Sequence, residues 1–299
     1  MAYRTVIIEN PASISTRREQ LIVRTDREHS LPVEDLNALL LEDRRSTVTT
    51  AALSLLGQSG CAVFICDEKH LPCAVLTPFS QHSRALSVAR LQIEATEPLK
   101  KRLWQSLVRS KINNQAACLR WTGNSGEADA LEAMSARVRS GDPDNLEAGA
   151  AQRYFPALFG EGFVRREEDD CNAALNYGYA ILRGCMARFL AAYGLLPAFG
   201  LHHCSTLNGF NLADDCMEPF RPVVDMMASA CSFPGEGLTP ETKRQLVSCL
   251  NMDILSGGAH HSVSYAMEKL VQSLSLSFRE KKAELCLPEL RELAQHRYE

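Results

Sequence analysis

The sequence of 299 residues lacks an excess of basic residues, the simplest indication of nucleic-acid binding. It contains 32 Lys and Arg against 36 Asp and Glu, so its formal net charge is −4. A protein that holds phosphate by bulk electrostatics is expected to be basic. Any contact with nucleic acid would therefore depend on local basic patches.

Cysteine spacings typical of a disulfide framework or a zinc knuckle are also missing. The eleven cysteines are scattered among apolar neighbours, and no two form a C-x-x-C pair. They are typical of small, reduced core residues. No apolar run approaches the length of a membrane span or of a signal-peptide core. We therefore expect a soluble, cytoplasmic protein without membrane association.

What the sequence does contain changes in character near Pro78. Before it, short β-branched or aliphatic runs alternate with turn residues, which is typical of strands. One helix interrupts them, predicted to begin at Ser46 and Thr47 and to end at Gly57 and Gly60. So few connecting helices favour an antiparallel or sandwich-like unit. The strand runs are residues 4–8, 20–25, 37–41, 62–66 and 73–76.

From Ser83 onward, apolar residues recur three and four positions apart, which indicates helices. The pattern predicts an all-helical remainder, with residues 256–261 as a flexible turn between helices. The fold class is therefore α+β. A small, mostly β domain, residues 1–79, is followed by a larger all-helical domain, residues 80–299.

Glu147 is the first candidate for chemistry. It follows Asp144, a predicted helix cap, at capping-box spacing, so by itself it is typical of a first-turn acid favoured by the helix dipole. The small residues at 148–151 would, however, let another helix approach its carboxylate. His202 and His203 follow Gly200 on a loop, and a metal ligand with a structural neighbour is as probable there as two polar loop residues.

Asp215 and Glu218 are three residues apart and share one helical face. Their like charges repel unless a cation lies between them, although a solvated acidic turn is the common alternative. A set of carboxylates and an imidazole suits Mg²⁺ or Mn²⁺ better than zinc. Such an ion can polarise a phosphodiester, which is nuclease or transesterase chemistry.

Four blocks of sequence carry a resemblance to a known family. They are residues 145–155, residues 172–179, Gly200 with His203, and residues 211–225, and together they cover roughly residues 141–230. In this order they resemble the CRISPR adaptation integrases, the larger of the two universal spacer-acquisition proteins, and particularly the type II branch.

The resemblance implies that Glu147, His203 and Glu218 are the catalytic metal ligands, with Asp215 as a possible additional acid. It implies insertion of short duplex DNA into a repeat array by 3′-hydroxyl attack, with Mg²⁺ or Mn²⁺ as cofactor. It further implies a homodimer joined through the β domains and a heterohexamer-type complex with a small ferredoxin-like adaptation protein.

Basic residues that could contact DNA occur in two groups. The first is a helical stretch without acids, and its default interpretation is a solvated helix face. The second group lies near Glu147 in the sequence. The candidates are Lys100, Lys101, Arg102, Arg109 and Lys111 in the first group, and Arg153, Arg165 and Arg166 in the second.

Two other functions stay open at this point. One is a stand-alone, structure-specific DNase that never joins strands. The other is a non-catalytic DNA-binding scaffold whose acids form only salt bridges.

Overall fold

The computed structural model describes residues 4–77, 83–233, 235 and 237–297. The chain divides into two compact units, the first ending at Ser83 and the second running from Arg84 to Arg297. The boundary predicted near Pro78 lies outside the described residues. No helix in the described ranges is long and apolar enough to span a bilayer.

The described part of the N-terminal unit contains two four-stranded sheets and one α-helix. One sheet has the order β1-β5-β7-β8 and the other β4-β3-β2-β6. Buried residues of both sheets and of the helix form one core, including Ile14, Leu39 and Leu56. The elements are β1 (Arg4–Ile8), β2 (Ser13–Arg17), β3 (Gln20–Arg24), β4 (Glu28–Pro32), β5 (Leu36–Leu41), β6 (Thr47–Val48), α1 (Thr50–Ser59), β7 (Ala62–Cys66) and β8 (Pro72–Leu76), with a 3-10 turn at Val33–Asp35.

The prediction of antiparallel sheets is only partly right. β5 pairs in parallel with β1 and with β7, and β2 pairs in parallel with β6. Five of the six residues of β5 are buried, and a continuous apolar run is what a parallel strand covered on both faces requires. The single helix α1 lies within the connection from β5 to β7, so one helix is enough for the crossover.

Helix α1 begins later than predicted. The side chain of Thr49 accepts a hydrogen bond from the Ala52 N–H at 3.2 Å, and Thr47 belongs to β6 instead. β-branched residues favour strands, which explains why Thr47 and Val48 are extended instead of forming the first turn of the helix. The helix includes Gly57 and ends at Gly60, whose φ of 77° is left-handed and therefore suits glycine.

Two long helices organise the C-terminal unit. The 25 residues of α3 pack against α4, α5 and α8, and the 23 residues of α6 pack against α7 to α10. The helices are α2 (Ala85–Ile93), α3 (Glu97–Trp121), α4 (Ser125–Arg137), α5 (Leu146–Phe159), α6 (Asp170–Ala192), α7 (Asn211–Met217), α8 (Arg221–Ser229), α9 (Pro240–Val247) and α10 (Val263–Glu280), with 3-10 turns at Glu218–Phe220 and Ser248–Asn251.

The C-terminal unit is not all-helical, contrary to the prediction. β9 (Asp253–Ser256) and β10 (Ala259–Ser262) form an antiparallel hairpin, and β11 (Pro288–Glu289) pairs with the other edge of β9. The predicted inter-helix turn at residues 256–261 is the turn of this hairpin. Gly257 and Gly258 have φ values of 61° and 81°, the conformation that a two-residue hairpin turn requires.

Candidate metal centre

Glu147 lies in the first turn of α5, but Asp142 rather than Asp144 caps that helix. The Asp142 carboxylate accepts the backbone N–H groups of Leu146 and Glu147 at 3.0 and 2.9 Å. Asp144 instead forms an exposed pair with Arg139 at 2.7 Å. Asp142 therefore satisfies the Glu147 N–H. The Glu147 side chain, 27% exposed, is not part of this cap and pairs with Lys111 instead.

Asp215 fastens the loop that carries the two histidines. Its carboxylate is fully buried and accepts the backbone N–H groups of Leu201, His202 and His203 at 2.6, 3.0 and 3.2 Å. Oδ1 also lies 2.6 Å from Nδ1 of His203. Four polar groups of the loop therefore meet at this one acid. Asp215 acts on the loop and on the His203 ring, and its role as an additional acid near a cation stays a prediction.

Gly200 permits this close packing. A Cβ at position 200 would lie 2.2 Å from the carbonyl oxygen of His203 and 2.8 Å from Oδ2 of Asp215. Any other residue would displace the backbone of the loop.

The environments of the two histidines differ. The His202 ring stacks on Trp104 with centroids 4.4 Å apart, and the His203 ring meets the edge of the same indole at 5.7 Å. An Nδ1–H held by a carboxylate leaves Nε2 as the ligating nitrogen, an arrangement common among metal-binding histidines. Of the two, His203 is the one whose Nδ1 a carboxylate holds.

The pKa of His203 is raised. The hydrogen bond with Asp215 is the largest cause, burial opposes it, and the charges of Asp215 and Glu218 add to the rise. His203 therefore lies within the electrostatic field of Glu218.

Glu218 lies in the 3-10 turn between α7 and α8 and is only 5% exposed. Its Oε2 is 2.5 Å from Nζ of Lys111, and its Oε1 is 2.9 Å from Nε of Arg221. Burial raises the pKa of this carboxyl, but Arg221 and Lys111 together lower it below its ordinary value. Glu218 is therefore a buried carboxylate that keeps its charge.

Lys111 brings the two candidate carboxylates together. Its ammonium pairs with Glu147 as well as with Glu218, while the residue is 7% exposed. Lys111 is therefore buried rather than exposed on a basic helix face, and its contact with DNA stays a prediction. Lys111 lies four residues after Leu107, which itself lies four after Leu103, so it extends the buried face of α3.

The donor set is suited to a divalent ion. Within the described ranges, no three His, Cys, Asp or Glu side chains stand in ready coordination geometry. Glu147 and Glu218 nevertheless converge on one cation, and the buried Oε2 of Glu218 accepts no well-directed hydrogen bond. Carboxylate oxygens with one imidazole are ligands that Mg²⁺ or Mn²⁺ accepts.

A buried network missing from the sequence-based candidates ties the surrounding helices together. Tyr154 on α5 donates to Asp225 on α8 at 3.1 Å, and Tyr179 on α6 donates to the other carboxylate oxygen. The Arg221 guanidinium lies 4.5 Å from the centre of the Tyr179 ring. Burial raises the pKa of Asp225 to about 6, although both tyrosine hydrogen bonds lower it.

The basic candidates on α3 fall into different environments. Lys101 and Arg102 are exposed in the first turns. Lys100 pairs with Glu97 at 3.2 Å. Arg109 donates to the carbonyl of Val138 at 2.8 Å, so its guanidinium is partly engaged within the protein.

In the second basic group, the guanidinium groups of Arg153 and Arg165 already have partners within the protein. Arg153 pairs with Glu127 at 2.9 Å. The Arg165 guanidinium donates to the side chains of Asn172 and Asn176, each at 2.7 Å. Arg166 is exposed, and its backbone N–H donates to Asn172 at 3.2 Å.

Comparisons with known proteins agree with one another. The family model described as CRISPR associated protein Cas1 matches residues 5–232. CRISPR-associated endonuclease Cas1 of Neisseria meningitidis serogroup C (strain 8013) is 42% identical over 304 residues, which cover 100% of both chains.

Two solved structures share the fold at low sequence identity. A casposase bound to its integration product has a TM-score of 0.77 at 18% identity, covering 95% of this chain and 92% of the casposase. A Cas6-RT-Cas1–Cas2 complex has a TM-score of 0.70 at 20% identity, covering 96% of this chain and 36% of that one. Because the family model spans most of the sequence, and the Neisseria relative matches it throughout, this chain belongs to the Cas1 family of CRISPR-associated proteins.

Proposed function

We propose that this protein is a divalent-metal-dependent DNA endonuclease and integrase that inserts short duplex DNA into a CRISPR repeat array. A 3′-hydroxyl of the incoming duplex attacks a phosphodiester of the repeat; the new P–O bond forms as the bond to the displaced 3′-oxygen breaks. The Neisseria relative is named an endonuclease, and the casposase was solved with an integration product. Both names support phosphodiester chemistry here.

The observation that carries the proposal is the convergence of Glu147 and Glu218 on one cation, within the electrostatic reach of His203. These three side chains are the ligands we assign to Mg²⁺ or Mn²⁺. When bound, the ion polarises the phosphodiester and stabilises the negative charge of the transition state.

Other residues prepare the centre for DNA. Asp215 holds the His203 ring with Nε2 free, and therefore acts as a positioning residue. Arg221 is half-buried beside Glu218 and keeps its charge, so it supplies a fixed positive charge near the reacting phosphate. The exposed side chains of Lys101 and Arg102 are suited to contact the DNA backbone farther away.

We further propose the assembly that the family likeness implies. The N-terminal unit joins two copies into a homodimer, residues 80–299 carry the catalytic centre, and a small ferredoxin-like adaptation protein binds the dimer. The fold likeness to a chain of a Cas6-RT-Cas1–Cas2 complex supports a partner of this kind.

A strand-transfer assay tests the function. Labelled duplex DNA and repeat DNA are incubated with the protein, the small partner and Mn²⁺. Ala at Glu147, His203 or Glu218 should reduce strand transfer to background, because each removes one ligand. Asp144→Ala is the matched control, because Asp144 forms only an exposed pair with Arg139. Normal integration by the Glu147 and His203 variants would refute the assignment. Cleavage without joining, in the presence or absence of the partner, would identify a stand-alone DNase.

A second candidate function has its own observation. Glu147 and Glu218 already have cationic partners within the chain, which is the arrangement expected of a non-catalytic DNA-binding scaffold. Calorimetry with Mn²⁺, or anomalous scattering from a crystal soaked in Mn²⁺, distinguishes the scaffold from the integrase. The scaffold predicts no bound ion, and the integrase predicts one ion at Glu147, His203 and Glu218.

A further inference from the structure

The ammonium of Lys111 lies between the carboxylates of Glu147 and Glu218, the two acids that we assign as metal ligands. It pairs with both carboxylates, and the residue is 7% exposed. Two buried or half-buried carboxylates without a cation would repel each other and lose their hydration. Lys111 therefore holds the ligands together when no metal is present.

The four side chains that these ion pairs join are balanced in charge. Glu147 and Glu218 carry two negative charges, and Lys111 and Arg221 carry two positive ones. A divalent ion entering this set would create a surplus of positive charge. The surplus disappears if Lys111 leaves the carboxylates, or if an anion such as a phosphodiester enters with the ion.

Of the two cations, Lys111 is the one that can move. The guanidinium of Arg221 lies on the ring of Tyr179 and beside Glu218, which fixes it in place. The lysine ammonium sits at the end of a flexible four-carbon stem and has no planar geometry to preserve.

We propose that Lys111 is a built-in counter-ion of the metal-free centre, which a divalent ion displaces and which then pairs with the incoming DNA phosphate. This inference rests on the proposed function, because it requires the divalent ion to bind at Glu147, His203 and Glu218. Lys111 competes with the ion in the absence of DNA and supports it in the presence of DNA. By linkage, DNA must then increase the affinity for the ion by the same factor as the ion increases the affinity for DNA.

Calorimetry of Mn²⁺ binding tests the proposal without using activity. Wild type and Lys111→Met are compared with and without a duplex whose 3′ ends are dideoxy-terminated, so that no strand transfer occurs. Lys269→Met is the matched control, because Lys269 lies on α10 over the ring of Tyr265.

We expect DNA to raise the Mn²⁺ affinity of wild type by about 5- to 150-fold, the usual range of coupling between two sites. Lys111→Met should bind Mn²⁺ more tightly than wild type without DNA, and should gain less when DNA is added. Lys269→Met should behave as wild type does. In thermal unfolding, Lys111→Met should be less stable than wild type without metal, and Mn²⁺ should reduce that difference.

Three results decide the matter. Equal or weaker Mn²⁺ binding by Lys111→Met without DNA overturns the proposal. The proposal is also overturned if DNA leaves the Mn²⁺ affinity of wild type unchanged. This second measurement needs no variant, so it decides the question even if Lys111→Met does not fold. If wild type binds Mn²⁺ in neither condition, the proposed function fails and this inference fails with it.

Discussion

The Oδ1 atom of Asp215 lies 2.6 Å from Nδ1 of His203, although the two residues belong to different elements, a helix and a loop. The same carboxylate also accepts three backbone N–H groups of that loop. One buried acid therefore sets both the path of the loop and the orientation of the imidazole.

Replacing Asp215 with Asn should disturb both functions. An amide NH₂ cannot accept the loop N–H groups, so at least one buried donor loses its partner, at a cost of about 1–3 kcal/mol. Mn²⁺ affinity should fall by about 10- to 100-fold, as for other residues that orient a ligating histidine. Calorimetry and thermal unfolding measure the two effects. Asp144→Asn is the control, and equal Mn²⁺ affinity in the two variants would contradict the positioning role.

The two histidines should respond differently to substitution. His203→Ala should abolish strand transfer, because it removes the proposed ligand. His202→Ala should retain strand transfer and lose only the stacking on Trp104, which contributes about 0.5–1.5 kcal/mol. The reverse pattern in the strand-transfer assay would assign the metal to His202.

Gly200→Ala should weaken metal binding, although Gly200 is not itself a proposed ligand. The added Cβ would lie 2.2 Å from the carbonyl oxygen of His203, so the loop must shift. We expect a loss of about 1–3 kcal/mol in stability, with weaker Mn²⁺ binding. Gly209→Ala is the matched control, because a Cβ there meets nothing within 4 Å. Similar behaviour of the two variants would show that the loop tolerates the shift.

Asp225 should make stability depend on pH. Because burial raises its pKa from 3.8 to about 6, the folded state binds this proton more tightly than the unfolded state does. Its contribution is therefore fully present at acidic pH and is lost as the pH rises through about 6. Across that range the loss is of the order of 1–3 kcal/mol.

Asp225→Asn removes this titration. Denaturant unfolding at pH 5 and pH 8 should show that wild type loses stability relative to Asp225→Asn at the higher pH. A difference between the two proteins that does not vary with pH would mean that Asp225 has an ordinary pKa.

The exposed basic turn of α3 should contribute to DNA affinity through phosphate contacts. A double variant, Lys101→Ala with Arg102→Ala, should weaken DNA binding and reduce the slope of log K against log salt by about 1 to 2. Arg153→Ala should change the slope less, because Glu127 already holds that guanidinium. Binding measured by fluorescence anisotropy at several salt concentrations checks both. An unchanged slope in the double variant would exclude this surface.

The candidate site was visible in the sequence only through the pattern of four blocks. Spacing alone left Glu147 as a capping-box acid and left His202 and His203 equivalent. The histidines differ because Asp215 holds the ring of His203 while Trp104, about a hundred residues earlier on α3, stacks on His202, and no local pattern reports such contacts. The site residues stay proposals, and the contacts of Glu147 and Glu218 with Lys111 supply their physical basis.

The burial of Lys111 was not predicted from the sequence, although a signal for it was present. A basic run without acids is typical of a solvated face. Leu103, Leu107 and Lys111 are, however, four residues apart, and this spacing places the lysine on the buried face of α3. A lysine at a core position needs an anionic partner, which is itself an indication of a site.

The errors in the fold have a different cause. β9 and β10 are four residues each, too short for a clear alternation of apolar residues, and the Gly257-Gly258 pair was the available signal for their turn. The parallel pairing of β5 with β1 joins segments about thirty residues apart. Pairing of this kind is decided by the packing of the whole unit, which periodicity does not report.

The hydrogen bonds of Asp225 with Tyr154 and Tyr179 hold together α5, which carries Glu147, α6, and α8, which directly follows Glu218. The framework of the centre therefore does not depend on the ion, unlike that of small zinc domains, which chelators unfold. Treatment with EDTA should strip such a centre and leave a folded protein that can be reloaded. If the proposed ion is required for activity, its supply would then control the activity of the protein without controlling its folding.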